Sequence, residues 1–203
     1  MLIQSVEYAG TVAKPGQPAP GDLPQIAFSG RSNVGKSSLI NTLLQRTRSK
    51  LARVSATPGK TQALNYYRVN QRFFLVDLPG YGYSRVPKAL RDEWQKLVEW
   101  YLGESERVRG VVHLVDARHP PTSHDTAMMA YLAEVGIPAL VVLTKMDKLK
   151  RGERARALAR AAADLAVEDD QLVSFSSRTG EGRDALLNAL EALLGASGRE
   201  DVP

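Results

Sequence analysis

The stretch from Gly30 to Ser37 reads Gly-Arg-Ser-Asn-Val-Gly-Lys-Ser, a pattern in which every fixed position has a physical role. Gly30 and Gly35 permit backbone conformations closed to other residues, so successive amide groups can surround an anion. Lys36 can place its ammonium group at the β and γ phosphates of a nucleotide, and the Ser37 hydroxyl can bind the Mg²⁺ that bridges them. An apolar stretch precedes this loop and a helical pattern follows it, which predicts a phosphate-binding loop between a strand and a helix.

Apolar runs alternate with amphipathic stretches along the chain, which predicts an α/β fold with a mostly parallel sheet flanked by helices. The predicted strands are 25–29, 64–69, 73–77, 110–116, 139–144 and 172–175, and the predicted helices are 37–46, 88–102, 123–134, 151–165 and 182–194. Only three residues join the second and third strands, so this pair must be an antiparallel hairpin and the six-stranded sheet is mixed. Residues 2–8 are a candidate for a further edge strand.

Composition favours one domain over residues 1–203, since 43% of the 203 residues are hydrophobic. We expect a core over about 23–195, an N-terminal strand and linker in 1–22, and a flexible tail at 196–203. The chain has no cysteine, no basic and apolar leader, and no long apolar segment, which predicts a cytoplasmic protein without a transmembrane segment.

The net charge of +5 is unevenly distributed, because no acidic residue lies between Asp22 and Asp77. The basic segment 46–53 exceeds what a bound nucleotide needs, so it is a candidate contact for RNA phosphates. A second basic group is equally well explained as a solvated helix face. It consists of Lys148, Lys150, Arg151, Arg154, Arg156 and Arg160.

Two further motifs follow apolar strands and should meet the phosphate-binding loop at one edge of the sheet. In Asp77-Leu78-Pro79-Gly80, the carboxylate can hold Mg²⁺ through a water and the Gly80 amide can reach the γ phosphate. In Thr144-Lys145-Met146-Asp147, the Asp147 carboxylate can accept two hydrogen bonds from guanine while the Lys145 stem covers the base. Without the phosphate-binding loop, the first motif would be read as a turn and the second as a helix cap.

Two weaker elements complete the predicted site. Phe175-Ser176-Ser177 follows the last strand, where a loop could close over the base, although two serines there are also typical of a helix cap. The polar segment 47–61 contains Thr57 and Thr61, and either threonine could complete the Mg²⁺ shell and bind the γ phosphate.

These elements, in this order over about residues 25–177, resemble the translation-factor-related class of Ras-like GTPases. The sequence is similar to the EngB (YsxC/YihA) family of the TrmE-Era-EngA-EngB-Septin-like class, whose members have the Ras-like G domain of P-loop NTPases. The resemblance is carried by the strings GRSNVGKSSLIN from Gly30, TPGKTQ from Thr57 and DLPGYGY from Asp77, of which the last two are specific to the family.

The resemblance implies a slow GTPase that acts as a switch in large ribosomal subunit assembly and is required for normal cell division and septation. It implies binding of GTP or GDP with Mg²⁺ on Ser37, Thr61 and Asp77, and catalytic roles for Lys36, Thr61 and Gly80. The implied partners are the large-subunit precursor and its rRNA, not DNA, and the chain is expected to be a monomer. The implied nucleotide contacts are Gly30, Arg31, Ser32, Asn33, Val34, Gly35, Lys36, Ser37, Ser38, Gly59, Lys60, Thr61, Gln62, Ala63, Asp77, Leu78, Pro79, Gly80, Thr144, Lys145, Met146, Asp147, Phe175, Ser176 and Ser177.

Two positions bear on hydrolysis. Tyr81 stands where Ras-like hydrolases often have the glutamine that orients the attacking water, so intrinsic hydrolysis should be slow unless another group holds that water. Asn33 resembles the asparagine that binds potassium in some related GTPases, and its alternative role is a hydrogen bond within the loop. Two other functions stay open from the residues: a division-site binding protein stabilised by nucleotide, and a small ATP-dependent kinase, against which Asp147 argues.

Overall fold

The computed structural model describes residues 1–45, 63–81 and 87–195. In these ranges, seven strands form one sheet in the order β1-β3-β4-β2-β5-β6-β7. Their bounds are β1 Val6–Val12, β2 Gln25–Gly30, β3 Leu64–Val69, β4 Phe73–Asp77, β5 Val108–Asp116, β6 Ala139–Thr144 and β7 Leu172–Ser174. The mixed, mostly parallel sheet is confirmed, as is the β3–β4 hairpin, because β3 alone runs antiparallel to its neighbours β1 and β4.

The prediction of six strands was wrong by one, and the N-terminal strand spans Val6–Val12 instead of 2–8. Strand β1 pairs with β3 up to Val6, which lies opposite Val69 at the end of β3. Beyond that point the Asn70 side chain accepts hydrogen bonds from the amides of Gln4 and Ser5, at 2.7 and 3.1 Å. These residues therefore pair with the hairpin turn and not with a strand.

Five α-helices of the described part of the chain cover the sheet, and those predicted over 123–134 and 151–165 have the predicted bounds. One hydrophobic cluster joins the sheet to the second, third and fourth helices, and another joins its opposite face to the first and fifth. The helices are α1 Lys36–Leu43, α2 Lys88–Glu104, α3 Ser123–Glu134, α4 Arg151–Leu165 and α5 Arg183–Gly195. Within the described ranges, no helix is both long enough and apolar enough to cross a membrane.

The alternation of side chains along β5 shows how the two faces are filled. Val111 and Val115 pack in the cluster of α2, α3 and α4, whereas Val112 and Leu114 pack in the cluster of α1 and α5. By this period of two, His113 faces α3, although the residues on either side of it in the strand are apolar.

The register of the sheet brings the carboxyl ends of its parallel strands to one edge. Phe28 of β2 lies opposite Asp77 of β4, and Asp116 of β5 lies opposite Thr144 of β6. The turns that follow β2, β4, β5, β6 and β7 therefore share the edge at which open α/β sheets bind ligands.

Candidate nucleotide-binding site

The phosphate-binding loop depends on glycine at both of its fixed glycine positions. Gly30 has a φ of +151°, and a Cβ atom there would lie 2.9 Å from the Leu114 carbonyl oxygen and 3.1 Å from the Val34 side chain. Gly35 has a φ of +107° and directly precedes α1, so the backbone amides of the loop lie at the N-terminus of α1, which is the positive end of the helix dipole. This arrangement suits an anion.

Lys36 and Asp77 meet although they lie 41 residues apart in the chain. Both are buried, and the Lys36 ammonium contacts the Asp77 carboxylate and donates a hydrogen bond of 2.7 Å to the Leu78 carbonyl oxygen. A buried charge is tolerated when it is paired, so the contact compensates both groups. The first and second motifs thus converge as their positions at strand ends predict.

The turn after β4 lies directly against the phosphate-binding loop. The Ser32 amide donates to the Tyr81 carbonyl oxygen at 2.9 Å, and the Leu78 amide donates to that of Phe28 at 3.0 Å. A Cβ atom at Gly80 would lie 3.4 Å from the Ser32 nitrogen. The Gly80 backbone therefore lies within van der Waals distance of the phosphate-binding loop.

The third motif supports the phosphate-binding loop from β6. The Thr144 hydroxyl donates a 2.6 Å hydrogen bond to the Val34 carbonyl oxygen, and the Lys145 ammonium donates to that of Asn33 at 2.7 Å. Lys145 itself has a φ of +60°, which turns the chain sharply after the strand. Thr144 and Lys145 therefore hold the phosphate-binding loop by direct hydrogen bonds. The sequence predicted only that their motif lies at the same edge of the sheet.

Asp116 is a site residue that sequence reasoning missed. It accepts hydrogen bonds of 2.8 Å from Lys145 and of 2.9 and 2.8 Å from the Arg118 guanidinium. Burial raises the pKa of Asp116, but the hydrogen bonds from Arg118 and Lys145 outweigh it and hold that pKa below its usual range. Its position at the end of β5, on the same edge as Asp77, is a signal that could have found it.

Asp147 is oriented by the loop after β7. The Ser176 hydroxyl donates a hydrogen bond of 2.8 Å to Oδ1 of Asp147 and accepts from the amides of Arg178 and Thr179 at 3.3 and 3.2 Å. The Met146 amide also donates to the Phe175 carbonyl oxygen at 3.2 Å. The segment of Phe175 and Ser176 thus positions the carboxylate.

The second carboxylate oxygen of Asp147 can accept hydrogen bonds from a ligand. Among the residues that the structure describes, Oδ2 of Asp147 is buried without a hydrogen-bond donor, and the Lys148 ammonium is 3.7 Å away. The Ser176 hydrogen bond lowers the pKa of Asp147, so the carboxylate stays ionised at neutral pH. A buried acceptor without a donor is unfavourable, and the ring NH and amino group of guanine supply donors of the required kind.

Several predicted contacts lie outside the described residues. They include Thr57, Thr61 and the basic segment 46–53, together with Gly59, Lys60 and Gln62. Ala63 is described and comes immediately before β3. Ser177 is placed beside α1, because its carbonyl oxygen accepts from the Thr42 hydroxyl at 3.4 Å.

A buried polar group beside the turn after β4 was also missed. The Tyr81 hydroxyl lies within hydrogen-bond distance of Asp125 and His113, two residues that sequence reasoning left unassigned. The sequence signal is the single histidine in the otherwise apolar run 111–115 of β5. Its partners follow from the fold, not from any spacing.

Comparison with known proteins agrees with this geometry. Residues 25–145 match a protein family described as 50S ribosome-binding GTPase. The chain is 49% identical over 195 residues to a probable GTP-binding protein EngB of Gemmatimonas aurantiaca, covering 96% of this chain and 95% of that protein. It is 46% identical over 201 residues to its counterpart from Pelotomaculum thermopropionicum, covering 98% of this chain and all of that protein.

The fold also matches a solved structure. The crystal structure of a probable GTP-binding protein engB superposes with a TM-score of 0.70 at 24% identity, covering 84% of this chain and 98% of that chain. The structure is thus a Ras-like G domain of the P-loop GTPases. The chain belongs to the EngB family of GTP-binding proteins, and it is a GTPase.

Proposed function

We propose that this GTPase is a switch in the assembly of the large ribosomal subunit. The single observation that carries the nucleotide part of this proposal is that Lys36, Asp77 and the Asp147 oxygen without a hydrogen-bond donor among the described residues lie at one edge of the sheet. The ribosomal part is supported by the 50S ribosome-binding description of the family that the chain matches.

In the proposed site, each residue has a role that its chemistry supports. Lys36 neutralises the β and γ phosphates, the loop amides and the α1 N-terminus bind their oxygens, and Asp147 selects guanine. Ser37 and Asp77, the latter through a water, offer the hard oxygen donors that Mg²⁺ prefers, and Thr61 is the proposed third donor. When bound, Mg²⁺ neutralises the charge that develops on the phosphates.

We expect slow intrinsic hydrolysis, because the Tyr81 hydroxyl donates to Asp125 at 2.6 Å. Tyr81 also lacks the side-chain amide with which a glutamine orients the attacking water. Asn33 is the candidate potassium ligand. Its backbone has a φ of +61°, and among the described residues its side chain makes no hydrogen bond within the loop. Single-turnover hydrolysis measured in potassium and in sodium tests this assignment, and equal rates would remove it.

The switch itself would depend on contacts made only to the γ phosphate. Thr61 and the Gly80 amide are the proposed contacts, so hydrolysis would release the segments that follow the phosphate-binding loop and β4. The GTP form is then expected to dock on the ribosomal precursor and the GDP form to leave it.

Surface charge supports an RNA partner. Helix α4 and the residue before it expose Lys150, Arg151, Arg156 and Arg160, for which no ion pair forms within the described residues. Arg154 differs, because it donates to Glu181 at 2.9 Å. Exposed cations of this kind attract RNA phosphates over long distances and in a salt-dependent manner.

Sedimentation with large-subunit precursor particles tests the proposal. We expect stronger co-sedimentation with a non-hydrolysable GTP analogue than with GDP, and weaker binding as salt increases. R156E/R160E should reduce it, whereas K14E/K96E, which reverses two exposed charges elsewhere, should not. Binding that is indifferent to the nucleotide would contradict the switch.

We further propose that the protein supports normal cell division and septation through ribosome supply. In a depleted strain, the wild-type gene should restore growth and septa, whereas K36A should not. Restoration by a folded K36A protein would instead favour a binding role in which nucleotide only stabilises the fold.

A further inference from the structure

A buried polar network connects the turn after β4 with the start of α3. The Tyr81 hydroxyl donates a hydrogen bond of 2.6 Å to Oδ1 of Asp125 and lies 3.2 Å from Nε2 of His113. His113 is fully buried, and its Nδ1 lies 2.8 Å from the Ser29 hydroxyl. The second Asp125 oxygen accepts from the amide and hydroxyl of Thr122, at 2.7 and 2.6 Å. Five residues from four parts of the chain thus form hydrogen bonds with one another.

The Tyr81 hydroxyl stays protonated in this network, which fixes it as the hydrogen-bond donor. Burial raises the pKa of Tyr81, and the Asp125 carboxylate raises it further, so the hydroxyl keeps its proton and acts as a donor. The Tyr81 ring also lies parallel to the His113 ring, with 6.1 Å between centroids and 7° between planes. Buried hydrogen bonds to a charged acceptor are among the stronger ones in proteins.

Tyr81 is attached on two sides. Its carbonyl oxygen accepts from the Ser32 amide of the phosphate-binding loop at 2.9 Å, while its hydroxyl is bound to Asp125 of α3. On the side of α2, a groove of about 510 Å³ separates the turn from Trp94 and Val98. Leu78 packs in the hydrophobic cluster that includes α2, but the Tyr81 side chain faces the groove on that side and is hydrogen-bonded to α3.

We propose that Asp125 and His113 are positioning residues for binding of the γ phosphate of GTP, which hold residues 78–81 against the phosphate-binding loop through the Tyr81 hydroxyl. The inference rests on the GTPase activity of the family and on the proposed contact of the Gly80 amide to the γ phosphate, not on the ribosomal role. A turn released from α3 samples more conformations, so a contact made only to GTP weakens while contacts shared with GDP persist.

The test compares the affinities of GDP and a non-hydrolysable GTP analogue, both with Mg²⁺, for wild type and Y81F. Y81F should weaken analogue binding about three- to tenfold and leave GDP binding unchanged, as loss of a hydrogen bond to a charged acceptor predicts. The matched control is Y101F, which removes a buried hydroxyl bound to Gln25 at 2.9 Å, at the opposite end of β2. For Y101F, the ratio of the affinity for the GTP analogue to the affinity for GDP should equal the ratio for wild type.

A double variant tests whether Tyr81 and Asp125 act through the same hydrogen bond. In D125N the amide oxygen is drawn to the two Thr122 donors, which leaves an NH₂ group facing Tyr81 and weakens the bond without changing volume. D125N should shift the ratio in the same direction, and Y81F/D125N should add little to either change.

The proposal is overturned if Y81F leaves the ratio unchanged or raises it, or if the effects of Y81F and D125N add fully. Wild type that binds neither nucleotide would overturn the nucleotide assignment itself, which is a distinct result. A loss of stability alone, seen equally in Y81F and Y101F with unchanged ratios, would contradict positioning.

Discussion

Ser176 donates a hydrogen bond of 2.8 Å to one oxygen of Asp147, while the other oxygen is buried without a donor among the described residues. The two residues lie 29 positions apart and are brought together by the parallel pairing of β6 and β7. The serine therefore fixes the direction in which the carboxylate can accept hydrogen bonds from a base.

Replacement of Ser176 by alanine should reduce GDP affinity roughly tenfold, because the carboxylate loses a charge-assisted hydrogen bond that orients it. Fluorescence titration with a labelled GDP measures the change. S174A, in the same chain segment but within β7, is the control and should bind GDP like wild type. Equal affinity of S176A and wild type would remove the orienting role.

Replacement of Thr144 by valine should weaken GDP and GTP analogue binding equally, by about two- to tenfold, because the hydroxyl that holds the Val34 carbonyl oxygen is lost. The same titrations measure both nucleotides. T126V removes a longer hydroxyl contact of 3.3 Å on the exposed part of α3 and should have no effect on affinity. A T144V protein that loses only one of the two nucleotides would argue against support of the shared phosphate-binding loop.

Replacement of Gly30 by alanine should lower the free energy of unfolding by about 1–3 kcal/mol, because its Cβ atom would collide with the Leu114 carbonyl oxygen in a backbone conformation unfavourable for alanine. Urea denaturation measures this difference. G152A lies on α4 with no atom within 4 Å of the added carbon, so it should be neutral or stabilising. Equal stability of G30A and G152A would show that the loop adapts.

The network around Asp125 predicts a dependence of stability on pH. Burial raises the pKa of Asp125, but hydrogen bonds from His113, Thr122 and Tyr81 outweigh it and place that pKa below the usual range. A carboxyl group whose pKa is lowered in the folded state stabilises the protein above its unfolded-state pKa of about 4, and the contribution is lost as the pH falls further.

D125N should therefore unfold about 1–3 kcal/mol more easily than wild type at pH 7, with the gap narrowing below about pH 4. Denaturant unfolding across this pH range measures the gap. D164N, which changes an exposed carboxylate on α4, should show little difference from wild type at either pH. A gap for D125N that is constant with pH would mean that the carboxylate charge has no part in it.

Periodicity and motif order were sufficient to predict most of the fold. Apolar runs that end in Asp77 or Thr144 read as buried strands because parallel strands are covered on both faces, and their ends share one edge. The bounds of β1 were not predictable, since they depend on the Asn70 side chain binding the amides of Gln4 and Ser5 from a distant turn.

At the candidate site, the sequence predicted which motifs lie at the edge of the sheet, but not the contacts by which their residues support one another. Asp147 is recognised by its motif, but the hold of Thr144 and Lys145 on the phosphate-binding loop exists only once β6 lies beside that loop. His113 looks like a filler of the core, and its link to Tyr81 depends on three elements meeting in space.

The most direct measurement is calorimetric titration of wild type and D147N with GDP and with xanthosine diphosphate, in the presence of Mg²⁺. A carboxylate matches the two donors of guanine, whereas an amide matches a base with a carbonyl group in place of the amino group. Wild type should bind GDP and reject the xanthine nucleotide, and D147N should lose GDP by roughly a hundredfold or more while gaining the xanthine nucleotide. No heat from wild type with GDP, or unchanged GDP binding by D147N, would contradict the account.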